Sequence, residues 1–236
     1  MIVFDSNSDS HQASTSCIVP TLFKGQCLHL GFLVVAIPVL WLALDCETLQ
    51  WNGLPVSFWF WLAVLIPIIH QTYVWLCWRL ELRNRLFTNR WGLKTGFGYY
   101  VVGFFLLFSC RFISLFILAV ADQGTASISW TVRGLLAVPI LLIAGYTLFS
   151  VKRYFGFLRA AGLDHFDPAF HRRALVHKGM FRWTKNAMYL FAIQSTWLFG
   201  ILAGSRLAMI AACFQSVYIW IHFLGTEKPD MDYIYR

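Results

Sequence analysis

Aromatic, basic, amide and acidic side chains gather in two short stretches near the C-terminal end of this sequence. The first stretch contains Gly179, Phe181, Trp183, Lys185, Asn186, Met188 and Tyr189, and the second contains His222 and Glu227. Aromatic faces attract a cation, lysine and amide groups donate hydrogen bonds to a carboxylate, and a positioned acid can hold an ammonium group or move a proton. These residue types predict a site for a small molecule that carries both charges.

The elements around these stretches are strongly apolar. Hydrophobic residues make up 58% of the 236 residues and charged residues only 13%, about half the roughly 25% of an ordinary soluble domain. The apolar residues form runs of about 20, the length that crosses a bilayer core. The six cysteines show no paired spacing, which excludes a zinc-ribbon or a secreted disulfide framework. The composition therefore predicts an all-α, polytopic membrane bundle.

We predict six spans, with a C-terminal helical hairpin and a cytoplasmic cofactor pocket. The first and fifth spans are short for a full crossing, and a five-span arrangement stays open. The chain is divided into a polar N-terminal tail (1–26), a four-span region (27–150) and a cofactor-binding region (151–236) that contains an interfacial segment (about 151–186), the hairpin and a C-terminal tail. The spans lie at about 28–44, 54–78, 99–121, 129–150, 187–203 and 205–224.

The basic residues predict the orientation of the bundle. Residues 79–94 carry five Lys and Arg and residues 152–185 carry eight, together 13 of the 19 in the chain, whereas the links 45–53 and 122–128 carry none. Since Lys and Arg concentrate in cytoplasmic loops, both termini and the site are expected in the cytoplasm, in a bacterial inner membrane or the endoplasmic reticulum. The net charge of +8 is therefore explained by basic loops that contact the membrane surface, and not by nucleic-acid binding. No protein partner is indicated.

A family resemblance rests on residues 175–189, which read LVHKGMFRWTKNAMY. This string resembles the C-terminal signature of integral-membrane S-adenosylmethionine-dependent methyltransferases, the isoprenylcysteine carboxyl and phospholipid N-methyltransferases. That signature reads Leu-Val-x-x-Gly-Pro-Tyr-Arg-Tyr-x-Arg-His-Pro-Met-Tyr, followed by two close helices and a pair of acids. The sequence departs from it at Met180, Asn186, Ala187 and Thr226, whereas Glu227 falls where one of the paired acids belongs.

The resemblance implies roles for the clustered residues. Phe181, Trp183 and Tyr189 would face the sulfonium of the donor, Lys185 and Asn186 its carboxylate, and Glu227 its ammonium or ribose hydroxyls. Glu227, His222 or a bound water would also take the proton that an ammonium acceptor must lose. The remaining predicted cofactor-binding residues are Gly179 and Met188. The alternative is structural: interfacial aromatic residues, basic residues that set topology, and a solvated acidic tail.

Three arginines are candidates for substrate binding. Arg172 and Arg173 form a pair that suits a phosphate. Arg111 lies within the third predicted span, where an unpaired cation is costly and must face protein or a polar cavity. Gln194 and Gln215 are its candidate partners in the last two spans.

The predicted reaction is methyl transfer from S-adenosylmethionine to a membrane lipid, favouring the amino headgroup of a phosphatidylethanolamine-type phospholipid. Methyl transfer to the carboxylate of an isoprenylated cysteine is the alternative within the family. A membrane sterol reductase that uses NADPH has a distantly similar architecture. A small transporter or a membrane scaffold is the non-enzyme alternative, although the sequence shows none of the internal repeats that transporters usually have.

Overall fold

The computed structural model describes residues 19–44, 49–171 and 173–235. These residues form the predicted helical bundle, and the strands β1 (Gln50–Trp51) and β2 (Leu54–Pro55) form a small antiparallel ribbon before the second helix. The α-helices are α1 (Gln26–Leu42), α2 (Val56–Asn84), α3 (Leu86–Ala121), α4 (Trp130–Ser150), α5 (Phe157–Ala160), α6 (Trp197–Ala203), α7 (Arg206–His222) and α8 (Lys228–Ile234). Single π-helical turns span Val151–Phe155, Met188–Ala192 and Phe223–Glu227, and 3₁₀ turns span Leu163–His165, Pro168–Phe170, Gly179–Arg182 and Ile193–Thr196.

The predicted count of six spans is not confirmed. Within the described ranges, four helices are long and apolar enough to cross a membrane, and two shorter apolar helices lie at the predicted first and fifth spans. The first of these two has 17 residues, about 26 Å at 1.5 Å per residue, which is less than the roughly 30 Å of a bilayer core. The four long helices are Val56–Asn84, Leu86–Ala121, Trp130–Phe155 and Arg206–Ile234, and the shorter ones are Gln26–Leu42 and Met188–Ala203.

A tight turn joins α2 to α3. Arg85 adopts a left-handed conformation with φ of 49°, and the buried Glu81 carboxylate accepts hydrogen bonds from the backbone N–H groups of Phe87 and Thr88. A carboxylate at this position satisfies amide groups that have no partner within a helix and complements the helix dipole. The backbone of Gly92, at φ 74° and ψ 163°, then interrupts the regular helix and kinks α3.

Helix α7 lies at the centre of the bundle because one of its faces is built from small residues. Ala208, Ala211 and Ala212 are fully buried there, and they pack with residues of α1, α2 and α3 in one core cluster. Small residues let helix backbones approach closely in a membrane protein. At its N-terminal end α7 is fixed to the end of α3, where Asp122 accepts hydrogen bonds from Ser205 Oγ at 2.5 Å and Leu207 N at 2.8 Å.

The last helical stretch is longer than the sequence indicated. The predicted span at 205–224 was followed by a tail, but the helix continues through the π-turn Phe223–Glu227 into α8. Asp230 is fully buried rather than solvated, because buried polar partners surround it, as described below. Glu227 therefore lies on a continuous helix that extends α7 toward the interfacial segment.

Candidate functional site

A cavity of about 280 Å³ lies between α2, α3, the end of α4, the Met188–Ala203 helix and α7. Its walls are mostly aromatic and aliphatic, including Phe104, Phe108 and Ile219. Pockets that bind small molecules are usually apolar clefts with a few converging polar groups. The polar side chains that line this cavity belong to His70, Gln71, Arg111, Tyr189, Ser195 and His222.

Tyr189, which lines this cavity, forms a hydrogen-bonded pair with Glu227, which lies outside the cavity lining. The phenol of Tyr189 donates to Glu227 Oε2, across 38 residues of sequence. The Tyr189 ring also lies 5.9 Å from that of Trp220 and 5.4 Å from that of Phe223, measured between centroids. The structure thus brings two predicted site residues into contact, with a carboxylate beside three aromatic rings.

His222 lines the same cavity one helical turn before Glu227. Its side chain is 2% exposed, and its Nδ1 has no hydrogen-bond partner among the described residues. The ring lies 5.8 Å from Trp78 and 5.7 Å from His29. A buried polar atom without a partner is unusual in a folded protein and calls for an explanation.

Arg111 reaches the cavity from α3 and donates to Gln215 Oε1 from both Nε and Nη2 at 3.3 Å. Gln215 is one of the two partners expected from the sequence. Two further polar residues of the cavity lining, His70 and Gln71, were not predicted from the sequence. A His-Gln pair in the middle of an apolar span is itself a signal of function, but the sequence alone does not show that this face of α2 meets α3 and α7.

Gly179 and Phe181 pack against the end of α4. Gly179 has φ of +59°, and a Cβ added there would lie 2.6 Å from Ser150 Oγ. Phe181 is 3% exposed and stacks on Phe155, with the ring centroids 5.0 Å apart. These two predicted cofactor-binding residues fix the interfacial segment on α4, while Met188, in the following turn, lines the cavity.

The remaining predicted residues lie away from the cavity lining. Trp183 is 82% exposed, Lys185 is exposed and Asn186 is half-buried. Arg173 is exposed and lies over the ring of Phe170 at 4.3 Å. These positions suit contact with lipid headgroups at the membrane interface. Arg172 lies outside the described residues.

A buried ionic cluster joins the interfacial segment to α2 and α8. Arg79 Nε lies 2.7 Å from Asp230 Oδ1, and both side chains are fully buried. His165 lies between two carboxylates, with Nδ1 at 3.1 Å from Asp164 Oδ1 and Nε2 at 3.6 Å from Asp230 Oδ2. Its ring stacks on Trp78 at 3.9 Å. Since Trp78 also lines the cavity, the cluster holds one of the cavity walls.

The charges of this cluster favour a protonated His165. Burial alone would lower the pKa of His165, but hydrogen bonds and charge interactions with Asp164 and Asp230 outweigh burial and raise the pKa to about 9. Burial would raise the pKa of Asp164, but its contacts with His165 and Tyr235 and the charge of Arg159 bring that pKa below its ordinary value. The cluster is therefore built from ionised groups that compensate one another.

Residues 132–236 match the model of a family described as phospholipid methyltransferase, PEMT. The match confirms the resemblance to the membrane methyltransferases. The matched region begins in α4 and covers a little less than half of the chain. It includes all the predicted site residues except Arg111, whereas α2 and α3, which supply His70, Gln71 and Arg111, precede it. No curated protein and no solved structure matches this chain.

The Tyr189 end of the cavity fits a sulfonium methyl donor. The ring of Tyr189 lines the cavity and offers an aromatic face to a positive sulfur, and the neighbouring rings of Trp220 and Phe223 lie behind it, outside the lining. Glu227 supplies a carboxylate beside them, and His222 Nδ1 is a buried polar atom without a partner in the described part of the chain. The residues present thus match the methyl donor that the family implies.

Proposed function

We propose that the protein transfers a methyl group from S-adenosylmethionine to the amino headgroup of a phosphatidylethanolamine-type phospholipid. The observation that carries the proposal is the contact of Glu227 with Tyr189, a residue that lines an apolar cavity within a bundle of membrane-spanning length. The family match to residues 132–236 supports methyl transfer as the chemistry. S-adenosylmethionine supplies an electrophilic methyl group on a positively charged sulfur when it is bound.

The chain's own residues hold and orient the two reactants. Tyr189 binds the donor through its ring face, with the rings of Trp220 and Phe223 behind it, and Glu227 binds the donor's ammonium or its hydroxyl groups. The apolar walls, including Phe104 and Phe108, exclude water and align the acceptor with the methyl group. Alignment of this kind supplies much of the rate enhancement in a bimolecular displacement.

The proton of the acceptor leaves through His222. An alkylammonium has no lone pair, so it must lose a proton before the nitrogen attacks. His222 Nδ1 is buried, lines the cavity and has no partner among residues 19–44, 49–171 and 173–235. We assign to this atom the role of proton acceptor, which requires it to come within hydrogen-bond distance of the amine.

Direct binding of S-adenosylmethionine to the purified protein tests the donor site. Titration calorimetry is expected to give micromolar affinity for the wild type and a loss of about tenfold or more in Glu227→Gln and in Tyr189→Phe, as when a hydrogen bond to a charged group is removed. Tyr146→Phe is the matched control, since Tyr146 is 50% exposed on α4 and outside the cavity lining. Folded wild-type protein that fails to bind the donor would refute the proposal.

Acceptor choice is tested by the transfer of a labelled methyl group in three parallel reactions. Phosphatidylethanolamine is expected to be methylated, whereas a farnesylated cysteine analogue and the wild-type protein without lipid are expected to give no product. Methylation of the cysteine analogue alone would assign the protein to the carboxyl methyltransferases. Binding of NADPH in place of S-adenosylmethionine would instead indicate a reductase.

A further inference from the structure

Three polar residues of α2 and α3 line the cavity. We call His70, Gln71 and Arg111 the polar floor. On α2, His70 precedes Trp78 by eight residues, about 12 Å of helix, and Trp78 contacts the interfacial segment through His165. The polar floor thus lies deep in the bundle, away from the pair formed by Tyr189 and Glu227.

Arg111 has no counter-ion in the described part of the chain. Its guanidinium contacts the neutral amide of Gln215 and the ring of His70, and none of the ion pairs of the described residues includes it. The residue is only 3% exposed. A buried cation without an opposite charge is strongly unfavourable, so this position requires either a function or an anion to compensate it.

The other two residues of the polar floor are hydrogen-bond donors. A guanidinium only donates, so the contact of Arg111 Nη1 with His70 Nδ1 at 3.4 Å makes Nδ1 an acceptor and places the ring proton on Nε2. His70 Nε2 and the amide nitrogen of Gln71 are buried and have no partner in the ranges that the structure describes. His70, Gln71 and Arg111 all line the cavity, and no carboxylate lies among the residues that line it.

We propose that the polar floor binds the phosphodiester group of the lipid acceptor. This inference rests on the proposed function and deepens it, because it assigns substrate choice to an anion site that precedes the matched family region. A phosphodiester has two unesterified oxygens, which suit a guanidinium and two N–H donors. The cavity, at about 280 Å³, is smaller than most ligand pockets of about 300–1,000 Å³, so it admits the headgroup and the methyl-bearing end of the donor, while the acyl chains and the rest of the donor lie outside.

The lipid reaches the polar floor from the membrane between α3 and α4. Phe105 and Leu148 line the cavity and are also 38% and 44% exposed on the outer surface of the bundle. The polar floor could also bind the carboxylate of S-adenosylmethionine, since that group is an anion as well. The methyl donor, however, is assigned to the rings around Tyr189.

Lipid binding in the absence of the methyl donor tests the inference. The probes are dioctanoyl phosphatidylethanolamine, dioctanoylglycerol, which has the same chains but no phosphate, and inorganic phosphate, each titrated into detergent-purified protein. Arg111→Gln is expected to weaken binding of the phospholipid about tenfold to a hundredfold, with binding of dioctanoylglycerol unchanged. Inorganic phosphate at millimolar concentration is expected to compete with the phospholipid in the wild type only.

Arg90→Gln is the matched control, because Arg90 is an exposed arginine of α3 outside the cavity lining. The melting temperature of Arg111→Gln is expected to equal or exceed that of the wild type, since the variant removes a buried charge. Gln71→Leu provides a second variant that keeps the cation, and it is expected to weaken phospholipid binding severalfold.

Unchanged phospholipid affinity in both variants would overturn the inference. A loss of S-adenosylmethionine affinity in Arg111→Gln, with phospholipid binding intact, would also overturn it and assign the anion to the donor. Because lipid binding is measured without the donor, failure of methyl transfer alone would reject the proposed function and leave this result standing.

Discussion

At the scale of single residues, Gly179 occupies a space and a backbone conformation that favour glycine. Its φ is +59°, and an added Cβ would lie 2.6 Å from Ser150 Oγ and 2.9 Å from a ring carbon of Tyr154. Gly179→Ala is expected to destabilise the protein by about 1–3 kcal/mol through backbone strain and crowding. Thermal unfolding measures this, with Gly98→Ala as the control, since nothing lies within 4 Å of a Cβ at Gly98. Equal losses in both variants would contradict the argument.

The Nδ1 atom of His222 is the proposed proton acceptor, so a substitution there is expected to lower the rate of methyl transfer. If Nδ1 takes the proton of an amine acceptor, His222→Gln lowers kcat for phosphatidylethanolamine by about 10²–10⁴-fold, the range of general base catalysis. The affinity for S-adenosylmethionine stays unchanged, because the aromatic rings and Glu227 remain. Initial rates and calorimetry separate the two quantities. A variant that loses donor affinity and keeps kcat would show that His222 binds the donor instead.

At the scale of elements, His165 joins three parts of the chain: the interfacial segment, α2 through Trp78 and α8 through Asp230. Its pKa is raised from 6.5 to about 9, so the folded state holds the proton more tightly than the unfolded chain. The resulting stabilisation is complete below pH 6.5 and is lost as the pH rises through about 9.

The melting temperature of the wild type is therefore expected to fall between pH 7 and pH 10. In His165→Gln this decrease becomes shallower, because the titrating group is gone, although the variant is less stable at pH 7. His177→Gln, at an exposed histidine outside the cluster, is expected to retain the wild-type slope. If the melting temperature of His165→Gln fell with pH as steeply as that of the wild type, the ionic cluster would not be the source of the pH dependence.

At the scale of the whole molecule, the basic segments predict one orientation in the membrane. Lys178 and Gln123 are exposed near opposite ends of the bundle. Lys178→Cys is expected to react with an impermeant maleimide from the cytoplasmic side, and Gln123→Cys from the other side, in protein whose native cysteines are replaced by serine. The reverse pattern would place the Tyr189–Glu227 pair on the non-cytoplasmic face.

The helical bundle and part of the site follow from the sequence, and the remainder depends on which helix faces meet. Hydropathy predicts the long spans, and the motif register brings Tyr189 and Glu227 into one site, where the structure shows them in contact. The alignment with the family signature also predicts that Phe181 contacts the methyl donor, whereas in the structure its ring packs on Phe155. His70 and Gln71 were missed because an amphipathic pattern is weak in a helix that is apolar on nearly all sides.

The first and last helices hold each other. His29 of α1 pairs with Tyr218 of α7, and Gln26 donates to Thr226, across 189 and 200 residues of sequence. At about 5–20 residues per second, a ribosome makes the partner of Gln26 roughly 10–40 s after Gln26 itself. Throughout that interval α1 lacks these contacts, so the packing of α1 on α7 is completed only after nearly all of the chain has been made.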